Sequence, residues 1–316
     1  MAPFKSTQSF SVGTFLRTFR NRDAVGGTAL NSPVRAGAFT GTGGNYVLTP
    51  GNGYKYHTFT SPGNFVTTGR FPNVQFMLVA GGGGGGGVDN SASGGGGGGG
   101  MVISSGFLCS AGTHPVTVGP GGAGQTGASG TLTPGSDSVF AYTGSGSATF
   151  TAKGGGGGDG PQTTSNGGDG GSGGGDGGAA TQPSQNPGIP HITNYGNASG
   201  TDGGGGAGEV AQPSGFGGDG QPAPGYEYPI VFPGPVASPL TPYSPTNNHY
   251  AGGGGGYGGG PNGNSLGGGG AALPSDTGPG NPGIDLLGGG GGGAHYPTQA
   301  TGGAGGDGIV IIRYLT

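Results

Sequence analysis

Five aspartates, Asp159, Asp169, Asp176, Asp219 and Asp307, each stand between two glycines. Gly-Asp-Gly is a fragment of the calcium-binding nonapeptide repeat, but the spacing here is irregular, and a polar side chain on the free outer face of a bundle reads better. The five histidines, His57, His114, His191, His249 and His295, fall at no metal-ligand spacing, so no metal is expected. Cys109 is the only cysteine and forms no internal disulfide; neither it nor any serine pairs with a base from sequence alone. Gly-x-Gly-x-x-Gly occurs many times, yet never between a strand and a helix of a βαβ unit, which removes nucleotide binding. Carboxylates for glycoside hydrolysis are too many to choose among and lie embedded in glycine. The reading is of a chain that is not an enzyme and takes no cofactor.

The residues left to carry a function are polar ones in short connections, and the glycine around them must do the positioning. The chain has 316 residues, 92 of them Gly and 26 Pro, with 7% charged and 29% hydrophobic. Such composition often means disorder, but disordered chains usually stay soluble through charge, which is scarce here. Residues 74–80 run into seven glycines, 81–87; six residues later come seven more, 94–100, and then the apolar 101–105. Equal runs about a short connection suit a chain that leaves a base, turns and returns beside itself. Glycine disfavours helix and sheet, whereas the extended polyproline II form has three residues per turn and about 3.1 Å rise, so seven residues span roughly 22 Å. Its peptide groups point sideways and must bond to neighbouring runs.

Strands are expected at 45–49, 54–60, 65–68, 74–80, 101–105, 115–119, 138–142, 148–152 and 309–315, from alternating apolar residues between Pro/Gly/Asn turns. The fold class read from this is mainly β: a small antiparallel β-sandwich base carrying a bundle of polyglycine II helices, with almost no α-helix. The sandwich takes about 38–80, 101–152 and 309–316, and the bundle about 81–100 and 154–308. Eight glycine-dense runs follow residue 152: 154–160, 167–178, 203–208, 215–220, 252–260, 267–270, 288–293 and 302–308. Taken as one crossing each, they put connections 88–93, 161–166, 209–214, 261–266 and 294–301 at the end far from the sandwich, and 179–202, 221–251 and 271–287 near it. A break of 167–178 at Ser172 would reverse the later assignments. The far connections offer Asp89, Asn90, Gln162, Thr163, Thr164, Asn166, Gln212, Asn262, Asn264, His295, Tyr296 and Gln299 as receptor contacts, pre-organised for a polar target such as a glycan.

Net charge is −4, but residues 1–70 hold seven Lys/Arg and one acid, while 71–316 hold two bases and twelve acids. The basic N-terminal segment, 1–36, intersperses Phe4, Phe10, Phe15, Phe19, Arg17 and Arg20. That pattern suits docking onto another protein rather than nucleic acid. Neither a signal segment nor 18 consecutive apolar residues is present, so the expectation is synthesis in a cytosol without ordinary export, and no membrane span.

The strings Gly51-Asn52-Gly53-Tyr54-Lys55-Tyr56-His57-Thr58-Phe59-Thr60, Gly63-Asn64-Phe65, Leu78-Val79-Ala80 before polyglycine, and Gly306-Asp307-Gly308-Ile309-Val310-Ile311-Ile312-Arg313-Tyr314 carry a resemblance. Over about 38–316 the chain resembles glycine-rich-domain virion proteins of tailed bacteriophages, marine or cyanobacterial in type. The resemblance implies a tail fibre or appendage in the virion, made in the host cytoplasm and attached through its N-terminus to other virion proteins. A host-surface glycan or protein is its expected ligand, and a homo-oligomer, taken as a trimer from fibre architecture, its expected assembly. The other reading is a capsid decoration or purely structural virion protein without a ligand.

Overall fold

The central strands of the base are apolar without interruption, and the reason is burial on both faces. The computed structural model describes residues 39–69, 73–88, 93–127, 130–160, 167–182, 191–212, 215–226, 248–257, 266–272, 278–295 and 300–316, all within one unit, Phe39–Thr316. Thirteen strands occur there, with no helix among the described residues: β1 Thr40–Thr42, β2 Tyr46–Leu48, β3 Tyr54–Phe59, β4 Gly63–Thr68, β5 Asn73–Val79, β6 Met101–Leu108, β7 Gly112–Thr117, β8 Ser138–Tyr142, β9 Ala148–Ala152, β10 Ile192–Tyr195, β11 Gln221–Pro222, β12 His249–Tyr250 and β13 Ile309–Leu315. The described part is all-β, and every strand pair in it is antiparallel.

One sheet of the sandwich runs β1-β4-β7-β8-β9 and the other β10-β6-β5-β13-β3-β2, while β11 and β12 pair as a separate two-stranded ribbon. Between them Phe59, Phe65, Phe76, Phe107, Phe140 and Phe150 form the core with Leu78, Val310 and Ile312. The opposite face of the six-stranded sheet presents Tyr56, Met77, Val79, Met101, Ile309 and Ile311 to Ala207, Ala223, Tyr226, Tyr250 and Ala251 from the connections at the foot of the bundle. Strands covered on both sides lose the polar alternation that β8 and β9, with one face outward, retain. The last strand, β13, lies in the middle of its sheet between β5 and β3, so the chain's end is tied to strands more than 200 residues earlier.

Run 81–87 leaves β5 directly, and its hydrogen bonds follow a strict count of three. Ala80, Gly83 and Gly86 donate to Gly100, Gly97 and Gly94; Gly81 and Gly84 donate to Ser136 and Thr133; Gly82, Gly85 and Val88 donate to Gly306, Gly303 and Ala300. Its carbonyls accept from Gly155 and Gly158, from Gly122 and Gln125, and from Gly291 and Ala294. Six neighbours surround it: the three it donates to run antiparallel and the three it accepts from run parallel. A partner that recurs every third residue is what three residues per turn produces. Run 94–100 keeps the recurrence of three, with 153–159, 202–205, 288–291, 172–175 and Gly254 around it, but donates to 202–205 running parallel and accepts from 172–175 running antiparallel. The contacts leave no room for side chains: a Cβ on Gly83 would run into the carbonyl of Gly156, and one on Gly96 into that of Gly83.

The bonding also corrects the expected path. The chain reverses at Ser172: 167–171 pairs with 157–154, whereas Ser172 and Gly175 donate to Gly98 and Gly95 in the opposite sense. More runs exist than glycine density suggests, among them 119–125, 133–136, 196–200, 209–212 and 278–284. A three-fold run at the rim needs glycine only where it faces inward, and its fixed φ suits Pro120, Pro134 and Pro282. Four residues lie at the opposite end in consequence. Asp202, expected near the sandwich, accepts from Gly95 at the far end; Gly278, likewise expected near, bridges His295 there; Glu209 and Leu266, expected far, bond to Gly206 and Gly220 close to the sandwich.

Candidate functional site

The far end of the bundle closes on a small apolar cluster, Val88, Ala294 and Ala300, with Val88 and Ala300 paired in an isolated bridge. Ser93 Oγ lies 2.8 Å from the carbonyl oxygen of Gly86 and 2.9 Å from that of Ala294, tying the start of run 94–100 to two neighbours. Gln125 stretches across the same end, donating to the Gly130 carbonyl at 2.6 Å.

Two of the twelve expected receptor contacts, Gln212 and His295, fall within the described residues. Gln212 bonds through its backbone to Phe216 and donates its amide to Glu209 at 3.0 Å, so its side chain is already engaged. His295, at the far end, is half-buried and stacks on Tyr257, with ring centroids 5.2 Å apart and 16° between planes; its Nδ1 is buried without a partner. Asp89, Asn90, Gln162, Thr163, Thr164, Asn166, Asn262, Asn264, Tyr296 and Gln299 lie outside the described residues. So do Phe4, Phe10, Phe15, Phe19, Arg17 and Arg20 of the attachment segment.

Sequence reasoning passed over Tyr257, 48% exposed, and Asp202. The available signal was Tyr257 itself, a lone aromatic inside a glycine run whose preceding glycines are all buried.

The Gly-Asp-Gly aspartates divide into two groups. Asp169, Asp219 and Asp307 accept hydrogen bonds from the N–H groups of Ala179, Leu266 and Gly121 at 2.8, 2.7 and 2.9 Å. Each carboxylate serves a neighbouring run, and Asp137 does the same for Gly154. Asp159 and Asp176 have no such task. Asp159 is 6% exposed, leaves Oδ1 without a partner, and is pushed up to about 6 by burial and then by the charge of Asp176. Burial and Asp176 also raise Asp202 above the usual carboxylate range. Among the described residues no group of three or more His, Cys, Asp or Glu side chains has the geometry to hold a metal ion.

The structure does bring a cysteine and a histidine together, which the sequence had not suggested. Cys109 Sγ lies 3.5 Å from His114 Nε2 inside the sandwich core. Thr143 N–H donates to Nδ1, which leaves the ring proton on Nε2, directed at Thr67 Oγ1 3.0 Å away. A nitrogen that already bears a proton cannot take one from the thiol, and burial pushes that thiol up to about 12. The pair is a core contact, not an activated nucleophile.

No curated protein matches the chain. A family model described as a glycine-rich domain matches residues 58–315, most of the sandwich and the whole bundle, and the chain belongs to that glycine-rich domain family.

Proposed function

We propose that the chain is a structural protein of a tailed-bacteriophage virion, a tail fibre or appendage, that docks through its N-terminal segment and displays the bundle as a host-facing tip. The observation that carries this reading is the fixed bonding of runs 81–87 and 94–100 to the neighbours around them, which holds the far-end residues on a platform needing little further ordering on binding. Its far end carries polar side chains and its cysteine–histidine contact is buried, which supports a role in recognition and assembly. The protein is made in the host cytoplasm and incorporated into virions, where it works beside other virion proteins as a homo-oligomer, a trimer by analogy with fibres.

The test is competition and replacement. Purified protein should block phage adsorption to host cells, and virions carrying scrambled far-end connections should assemble but adsorb poorly. Normal infection by those virions would instead support a decoration protein without a ligand.

A further inference from the structure

Charge is divided along the molecule. The three described cations, Lys55, Lys153 and Arg313, sit on or directly after strands of the sandwich, and from residue 71 onward the sequence has no other Lys or Arg. Every far-end connection therefore holds neither Lys nor Arg. Three carboxylates, Asp159, Asp176 and Asp202, stand there without a neighbouring Lys or Arg, and three consecutive residues arrange them. Ser93 accepts from the N–H of Tyr257 at 3.1 Å, Gly94 donates to the carbonyl of Asp159 at 2.8 Å, and Gly95 donates to that of Asp202 at 2.9 Å. The carbonyl of Gly95 also accepts from Gly175, the neighbour of Asp176. Asp176 is exposed, Asp202 and His295 half-buried, and Tyr257 open on its outer side, with the unpartnered Asp159 oxygen beneath.

Among the described residues the carboxylates of Asp159 and Asp176 bond to no neighbouring run, unlike those of Asp169, Asp219 and Asp307. An anionic sugar or a phosphate would meet only repulsion. A neutral sugar can donate its hydroxyls to the carboxylates but leaves their mutual repulsion uncompensated. A cation gains twice, from the carboxylates and from the negative face of the tyrosine ring. Resting on the host-facing reading above, we propose that this far-end patch docks a basic segment of a host-surface protein, with a Lys or Arg side chain laid on Tyr257 and its charge shared by Asp176 and Asp202. Such docking quickens at low salt and weakens as ions screen the exposed carboxylates.

Full-length protein titrated with labelled lysine-rich, glutamate-rich and serine-rich peptides of equal length tests the patch. Only the lysine-rich peptide should bind, more weakly as salt rises. Asp176→Asn with Asp202→Asn should weaken it at least about tenfold and Tyr257→Ala about fivefold. Glu209→Gln, nearer the sandwich, should leave it unchanged, and unaltered thermal melts would show each variant folded. Equal binding of the three peptides, no binding of the lysine-rich one, or indifference to the paired aspartate substitutions overturns the proposal. Adsorption separates it from the reading on which it rests. Variants that lose peptide binding yet adsorb normally leave the patch standing and remove host attachment. Variants that lose adsorption in a protein that binds no cationic peptide do the reverse.

Discussion

The guanidinium of Arg313 lies 4.3 Å from the ring centroid of Tyr226, joining the last strand to the connection beneath the bundle. Tyr54 covers the other approach at 4.6 Å, Gln75 accepts from Nε at 2.7 Å, and the Gly225 carbonyl accepts from the guanidinium. Arg313→Ala removes a cation from the rings of Tyr54, Tyr56 and Tyr226 and two part-buried hydrogen bonds at once, and should cost about 2–3 kcal/mol in chemical denaturation. Arg313→Lys keeps the charge but not the planar fork, and should recover less than half of the loss.

Glycine at the centre of the bundle is required for space rather than for backbone freedom. Gly83→Ala places a methyl against the Gly156 carbonyl, so we expect a loss of about 3 kcal/mol or more and rapid proteolysis within 81–100. Gly51→Ala, in a surface turn with φ 88° and nothing within 4 Å, should cost only about 1 kcal/mol. Equal effects would contradict the packing argument.

The aspartates that serve neighbouring runs should behave as caps. Asp219→Ala frees the Leu266 N–H and should cost about 1.5–3 kcal/mol, whereas Asp219→Asn, which keeps an acceptor, should cost less. Hydrogen exchange at Leu266 ought to quicken in the first variant more than in the second.

Stability against pH should be shaped by opposing groups. His57 donates from Nδ1 to the Gly43 carbonyl at 2.7 Å, stacks on Tyr314 and leaves Nε2 bare, and burial lowers its pKa, with Lys55 adding to the shift. Burial lowers His114 as well. Their contribution is present above 6.5 and is lost as pH falls through the depressed folded values. Asp159 is raised, so its contribution is present below 3.8 and is lost as pH rises through about 6. Asp159→Asn should therefore melt higher than the parent at about pH 7.5 and match it below about pH 4. A difference that persists in acid would remove the carboxylate from the account.

Much of the base was legible because its strands carry their own signals. Residues 54–60, 74–80, 138–142, 148–152 and 309–315 are expected as strands and form β3, β5, β8, β9 and β13. β1, β10, β11 and β12 were not legible, since two to four residues without a flanking apolar alternation carry no periodicity. The bundle was legible at its middle, where all faces are buried and the sequence is pure glycine. Its rim was not, because a run such as Gly278-Pro279-Gly280-Asn281-Pro282-Gly283 has outward positions open to many residues and reads as a loop. That ambiguity misplaced Glu209 and Leu266, and it hid Asp202, whose role depends on which run returns beside Gly95.

The three-residue recurrence of partners along run 81–87 sets a rule for how such a molecule can change length. Adding one residue within a run turns everything beyond it by about a third of a turn and presents each peptide group to the wrong neighbour. Adding three to every run restores the phase and lifts the tip by roughly 9 Å. Connections at the tip obey no such arithmetic. Lengths within the runs should therefore vary in steps of three while the tip varies freely, so the reach of the bundle and the specificity of its end are inherited as separate traits.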